Sequence, residues 1–166
     1  MPSNARSIYW DACVFLSYIN GIPARLPTID NLLKDSADPD SPLEIITSVL
    51  SIAEVAWAQI EKDKKALDQA AEQRIKDLWN DRAAIRLAEF HELVALDAAA
   101  LMRGAIVKGW SLKAPDAIHL ATAQRIGVLE FHTYDDKLDK YDSDVGIKIC
   151  RPNTLYVKTA AARQNP

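Results

Sequence analysis

The chain has 166 residues, enough for one domain of ordinary size with its own buried core. Hydrophobic residues make up 49% and charged residues 26%, and the net charge is −3. No overall basic character draws the chain to nucleic acid, so any such contact needs a local patch. No apolar run approaches the roughly 18 residues of a membrane span. The start "MPSNARSIYWD" lacks the apolar stretch of a signal peptide. Cys13 and Cys150 stand far apart, with neither disulfide-framework nor metal-knuckle spacing. The expectation is a cytoplasmic protein.

"SIYW" (7–10) is a β-prone run that ends at Asp11, and "ACVFLSYI" after it reads as a short helix closed by Asn20-Gly21. "TIDNLLKDSA" (28–37) predicts a helix with Thr28 as its N-cap, and "DPDSP" a turn. "EIIT" (44–47) reads as a strand, and the next stretch as strand end passing into a helix that Glu54 begins. "KKALDQAAEQRIKDLWND" predicts one long polar helix with Ala66, Ala70, Ile75, Leu78 and Trp79 available for one face. "AAIRLAEF" (83–90) reads as a strand, though its pattern also suits a helix, 92–109 reads as a helix, and "PDAIHLATA" as the heart of a helix reaching about to Arg125. "VLEFHT" (128–133) is a strand, "YDDKLDKY" a turn or short helix, and "GIKIC" (146–150) a last strand. One domain is expected over 1–156, with a polar, frayed tail over 157–166. Strands alternating with helices predict an α/β fold with a mostly parallel sheet covered on both faces.

In such sheets the site lies at the carboxyl ends of the strands. The acids placed there are Asp11, Glu54, Asp116, Asp135 and Asp136. Each has an ordinary use. Asp11 and Asp135 or Asp136 can cap helices, Glu54 fits a capping box with Ser51, and Asp116 suits the positive end of a helix dipole. Gathered together, they repel one another unless a cation sits among them. Oxygen donors suit a hard divalent cation such as Mg²⁺ or Mn²⁺, and the chemistry implied is metal-assisted phosphodiester hydrolysis. Other chemistries lack their residues. There is no Gly-rich nucleotide loop, no zinc spacing among His91, His119 and His132, and no nucleophile elbow. An aspartyl phosphatase would want a second Asp where Cys13 stands. His119 lies one helical turn after Asp116 and reads first as a partly buried packing residue, with holding a carboxylate or touching substrate as the alternatives. The four tryptophans are expected in the core or at a dimer contact.

"IYWDACVFLSYI", "TSVLSIAEV" and "LKAPDAIHLATAQRIGVLEFHTYDDKL" resemble, in this order, the sequence blocks of PIN-domain proteins, with the VapC-like toxins of prokaryotic toxin–antitoxin pairs as the nearest subgroup. The resemblance runs from about Ile8 to Arg151, and its most specific block is "PDAIHLATA…TYD". It implies a three-layer α/β/α fold with a central, mostly parallel sheet, and a Mg²⁺- or Mn²⁺-dependent endoribonuclease. By position, the catalytic and metal-holding acids are Asp11, Glu54, Asp116 and Asp135. Thr133 stands behind them as a supporting hydroxyl, with Asp136 and Asp139 as further acids nearby. An RNA substrate, a cognate antitoxin and a homodimer are also implied. Many members place a small polar residue two positions after the first Asp. Here Cys13, a weaker donor, is expected to orient Asp11 less firmly. Lys113, Arg125 and Lys137 neighbour the acids in sequence and are candidates to guide RNA. The alternatives are a non-catalytic PIN module that binds RNA or a protein partner, and an α/β domain whose acids serve only as caps.

Overall fold

The first strand, β1 (Arg6–Trp10), runs through the middle of the sheet. The computed structural model describes residues 6–154, so the expected polar tail lies outside the described residues. After β1 come α1 (Ala12–Ile19), α2 (Leu26–Ala37), β2 (Leu43–Ser48), α3 (Leu50–Glu54), α4 (Gln59–Lys64), α5 (Gln69–Asn80), β3 (Ile85–Ala88), α6 (Glu92–Val107) and α7 (Ala114–Ile126). The chain continues through β4 (Glu130–His132), a 3-10 helix (Asp136–Tyr141), α8 (Asp142–Val145) and β5 (Lys148–Cys150). The sheet order is β3-β2-β1-β4-β5 and every neighbouring pair is parallel. Among the described residues no helix is long and apolar enough to cross a membrane.

Successive side chains of a strand face opposite sides, and both sides of β1 are covered. Ile8 and Trp10 pack with Val14, Phe15, Ile29, Leu32 and Trp79 under α1, α2 and α5. Tyr9 packs with Ile46, Phe131, Val94, Ala98 and Leu120 under α6 and α7. The result is three layers, helix–sheet–helix, as expected. Trp10 and Trp79 are core residues, each in ring contact with Phe15, and Trp57 is exposed.

Three local expectations change. Helix α2 starts at Leu26, with Pro27 in its first turn, where a missing N–H costs nothing. Thr28 is therefore inside the helix and does not cap it. The long polar helix is two helices, α4 and α5. Lys65 turns left-handed at φ 50° and Asp68 caps α5 by accepting from Ala71 N at 2.9 Å. Buried Glu61 bridges the break, accepting from Ala58 N and Asp68 N, both at 2.9 Å. Finally, Glu54 closes the short α3 rather than beginning a helix. The capping box with Ser51 does not form, because the Ser51 hydroxyl meets Thr47 Oγ1 at 2.7 Å instead.

The β4–β5 edge carries a buried polar chain. Trp10 Nε1 can only donate, so His132 Nδ1 accepts from it at 3.3 Å and the ring proton sits on Nε2. That N–H donates to Glu130 Oε2 at 2.9 Å, while Lys148 Nζ donates to Oε1 at 3.0 Å. The hydrogen bond from His132, then that from Lys148, hold the Glu130 carboxyl down to about 2 despite burial. A carboxyl lowered in the folded state stabilises above its ordinary value and loses that contribution as pH falls through the lowered one. Glu130→Gln is therefore expected to be less stable at neutral pH by about 1–3 kcal/mol. In urea melts the gap to the parent should close between pH 4.5 and about 2. A gap independent of pH would refute this account.

Candidate active site

The strand order reverses at β1, since β2 lies on one side of it and β4 on the other. Loops leaving β1 and β4 therefore part in opposite directions and open a crevice at their carboxyl ends. Asp11 follows β1 directly and Thr133-Tyr134-Asp135 follows β4. Asp116 is in the first turn of α7 and Glu54 comes from the end of α3, just after β2.

Asp11 is nearly fully buried, at 6% exposure. Its Oδ1 accepts from Cys13 N at 3.2 Å, which caps α1, and from the Cys13 thiol at 2.7 Å. Its Oδ2 accepts from the Thr133 hydroxyl at 2.6 Å. Burial pushes the Asp11 carboxyl up, and these hydrogen bonds oppose the rise. The thiol is pushed up to about 12 by burial and by the charge of Asp11, so the S–H proton stays in place to donate. Cys13 thus contacts Asp11 through both its backbone N–H and its thiol. Its sulfur in turn accepts from Tyr134 N at 3.1 Å.

Thr133 Oγ1 also accepts from Asp135 N at 2.9 Å, joining the turn that bears Asp135 to Asp11. Asp135 Oδ1 caps the 3-10 helix through Lys137 N at 3.0 Å, and its second oxygen takes no part in that cap. Asp116 responds to all the others. Its carboxyl is raised by burial first, then by the negative charges of Asp135, Asp11 and Glu54, with His119 opposing. The four acids share one field, and no lysine or arginine pairs with any of them among the described residues.

Glu54 is held by a chain that the sequence did not reveal. Ser48 N donates to Tyr9 Oη at 3.0 Å. The Tyr9 phenol, pushed far above its ordinary value by burial, keeps its proton and donates a hydrogen bond to His119 Nδ1 at 2.7 Å. His119 Nε2–H then donates to Glu54 Oε2 at 2.6 Å. His119 is both buried and a carboxylate holder, whereas the partner that sets its tautomer lies 110 positions away. Only the period-two pattern of β1, which turns Tyr9 toward α7, hinted at it.

The remaining expected residues are peripheral. Asp136 is exposed, and Asp139 is engaged by Arg151 through two bonds of 3.1 and 3.0 Å. Arg125 stands in the last turn of α7, at the far end from Asp116, and donates to Asp97 at 2.6 Å, so it is no guide to the crevice. Lys113 and Lys137 are exposed beside it.

Oxygen donors at the crevice suit a hard divalent cation. A second grouping, Glu130, His132 and Cys150, brings its ligand atoms within 4.8 Å of one another. Its hydrogen bonds argue against a cation there. A metal on His132 Nε2 would move the ring proton to Nδ1, directly against the Trp10 N–H, whereas metal-bound histidines normally present that nitrogen to an acceptor.

Comparison with solved structures finds the same fold. VapBC2 from Rickettsia felis, bound to a fragment of its promoter DNA, matches with a TM-score of 0.63 and 15% identity over 86% of this chain and 96% of that one. FitAcB from Neisseria gonorrhoeae matches with a TM-score of 0.59 and 17% identity, covering 87% and 97%. VapC20 from Mycobacterium tuberculosis, described as a sarcin–ricin loop cleaving toxin, matches with a TM-score of 0.57 and 15% identity, covering 80% and 93%. A sequence search of curated proteins found no match. The PIN domain family model matches residues 8–144, and by that match the chain belongs to the PIN domain family.

Proposed function

We propose that the chain is a divalent-metal-dependent endoribonuclease, the toxin of a toxin–antitoxin pair, with Asp11, Glu54, Asp116 and Asp135 as its catalytic and metal-holding acids. The observation that carries this reading is the placement of Asp11, Glu54, Asp116 and Asp135 at the carboxyl end of the sheet with no lysine or arginine paired to them among the described residues, and the raised Asp116 carboxyl accords with it. Acids crowded so, without a paired cation, are electrostatically incomplete, and a Mg²⁺ or Mn²⁺ ion would relieve the repulsion. Such an ion supplies a more acidic bound water and offsets charge on the phosphoryl oxygens.

The chain's own residues supply the positioning. Cys13 and Thr133 fix both oxygens of Asp11. Thr133 ties Asp135 to the same point, and the Tyr9–His119 pair holds Glu54 by Oε2, leaving Oε1 outside that chain. Carboxylates also repel a bare phosphodiester, so without a cation the crevice disfavours RNA. Similar solved structures include toxin–antitoxin complexes, some with DNA, which supports a cognate antitoxin as partner. A homodimer belongs to the same proposal, because α6 leaves Leu93, Leu96, Ile106 and Val107 exposed as apolar surface that a second copy would cover. The protein is proposed to act in the cytoplasm.

Purified protein is expected to cleave RNA with Mn²⁺ or Mg²⁺, to stop in EDTA, and to lose cleavage in Asp116→Asn. Mn²⁺ at a hundredfold excess over its Kd should stabilise the fold by about 2.7 kcal/mol in thermal melts. No cleavage and no metal-dependent melting shift would leave the acids as helix caps alone. Tyr9→Phe frees the His119 ring and strands the Ser48 N–H. It should weaken Mn²⁺ binding by about 10-fold, read by calorimetry. Unchanged affinity in a folded Tyr9→Phe protein would mean that the chain does not position Glu54.

A further inference from the structure

An RNA strand brought to four carboxylates needs fixed positive charge close by, and the lysines and arginines around the crevice differ in what they can offer. Arg151 is committed to Asp139 and to the Thr133 carbonyl. Arg125 is committed to Asp97 at the far end of α7. Lys113 and Lys137 are exposed, and among the described residues no ion pair fixes their ammonium groups. Arg25 is different. Its guanidinium carbon lies 3.9 Å from the centroid of the Tyr134 ring, and its Nη1 donates to Ser17 Oγ at 2.9 Å. Both holders are neutral. Among the described residues no carboxylate pairs with Arg25.

Both holders also lead to the crevice by one step. Tyr134 sits between Thr133 and Asp135, and its backbone N–H donates to the Cys13 sulfur that orients Asp11. Ser17 Oγ donates to the Cys13 carbonyl at 2.9 Å. The guanidinium is therefore fixed at the rim with its charge unneutralised and the rest of its donor fork uncommitted. A stacked, planar guanidinium loses little entropy when it takes a phosphate in two parallel hydrogen bonds.

We propose that Arg25, stacked on Tyr134 and anchored by Ser17, is the rim residue that receives a backbone phosphate of the RNA strand next to the scissile one. It is a substrate-positioning residue, and the inference rests on the ribonuclease reading above. A phosphate contact is blind to base identity, so the probe does not need to contain the preferred cleavage sequence.

The test uses the full chain with its four acids intact, Ca²⁺ in place of Mg²⁺ so that a hard cation is present without cleavage, and a fluorescent single-stranded RNA of mixed sequence over a range of salt. Anisotropy should show binding that weakens as salt rises. Adding Arg25→Gln, which keeps a donor for Ser17 but removes the charge, should weaken binding about tenfold and lower the salt slope by about 1. Arg25→Lys should restore the slope but only part of the affinity, because a point charge cannot replace the fork. A purely structural arginine would instead lower the melting temperature in both variants and leave the slope alone. Equal affinity and slope in the parent and Arg25→Gln would overturn the assignment of Arg25 while leaving the nuclease reading intact. No RNA binding by the parent in Ca²⁺ would overturn both.

Discussion

Burial of β1 on both faces is the constraint on which the other elements depend. Ile8, Tyr9 and Trp10 have no exposed surface, so each side chain must satisfy the layer it meets. The two polar aromatics have one hydrogen-bonding group apiece, and each spends it on a histidine. Tyr9 turns to α7 and sets the tautomer of His119, while Trp10 turns the other way and sets that of His132. Both histidines then present Nε2–H to a glutamate, Glu54 in one case and Glu130 in the other. Adjacent residues of one strand thus build matching donor chains on opposite faces. Their surroundings separate their uses. Glu130 is balanced by Lys148 and closes the sheet edge, whereas among the described residues no lysine or arginine pairs with Glu54, whose charge is felt by Asp116.

Charge placement in the crevice opposes folding and is tolerated because neutral donors carry it. Asp11 is buried where a lone carboxylate would be costly, and three donors from Cys13 and Thr133 answer its two oxygens. Neither partner brings positive charge, so the negative field of the acids survives intact. The same economy governs the rim, where Arg25 is held by a ring and a hydroxyl and so keeps its full charge. Substituting a salt bridge at either place would hold the geometry and cancel the field. This is the physical difference between these groups and the Arg151–Asp139 pair a few residues away, where the charges cancel.

Much of this architecture was legible from the sequence, because it rests on local patterns. Short β-prone runs marked four of the five strands and left 83–90 open between strand and helix, and a parallel sheet then dictated that acids following strands meet at one end. What escaped detection depends on partners far apart in the chain. Tyr9 and His119 are 110 positions apart, and the Thr133 hydroxyl, 122 positions from Asp11, was expected only through the family resemblance. No window along the sequence contains either pair. The break after α4 escaped for another reason. Helical residues run through "KKALDQAA", and only the buried Glu61, which accepts two backbone N–H groups across the gap, makes the left-handed turn at Lys65 worth its strain. The capping reading of Asp11 and Asp135 was correct as far as it went. A cap uses one carboxylate oxygen, and the other remains for a neighbour.

Cys13 illustrates how residue type and residue role can part company. A thiol is a poor donor in water, and on that ground it looked like a weak substitute for a small polar residue. Inside the crevice the balance changes. Burial and the neighbouring carboxylate raise the thiol to about 12, which keeps its proton on sulfur, while the sulfur lone pairs take the N–H of Tyr134. One atom thereby connects the end of β1, the start of α1 and the turn after β4. A serine oxygen could donate to Asp11 as well, but its smaller radius would bring the Tyr134 backbone closer or leave that N–H unpaired. Tyr134 in turn supports Arg25, so the size of the sulfur bears on the rim as well as on the acid it orients.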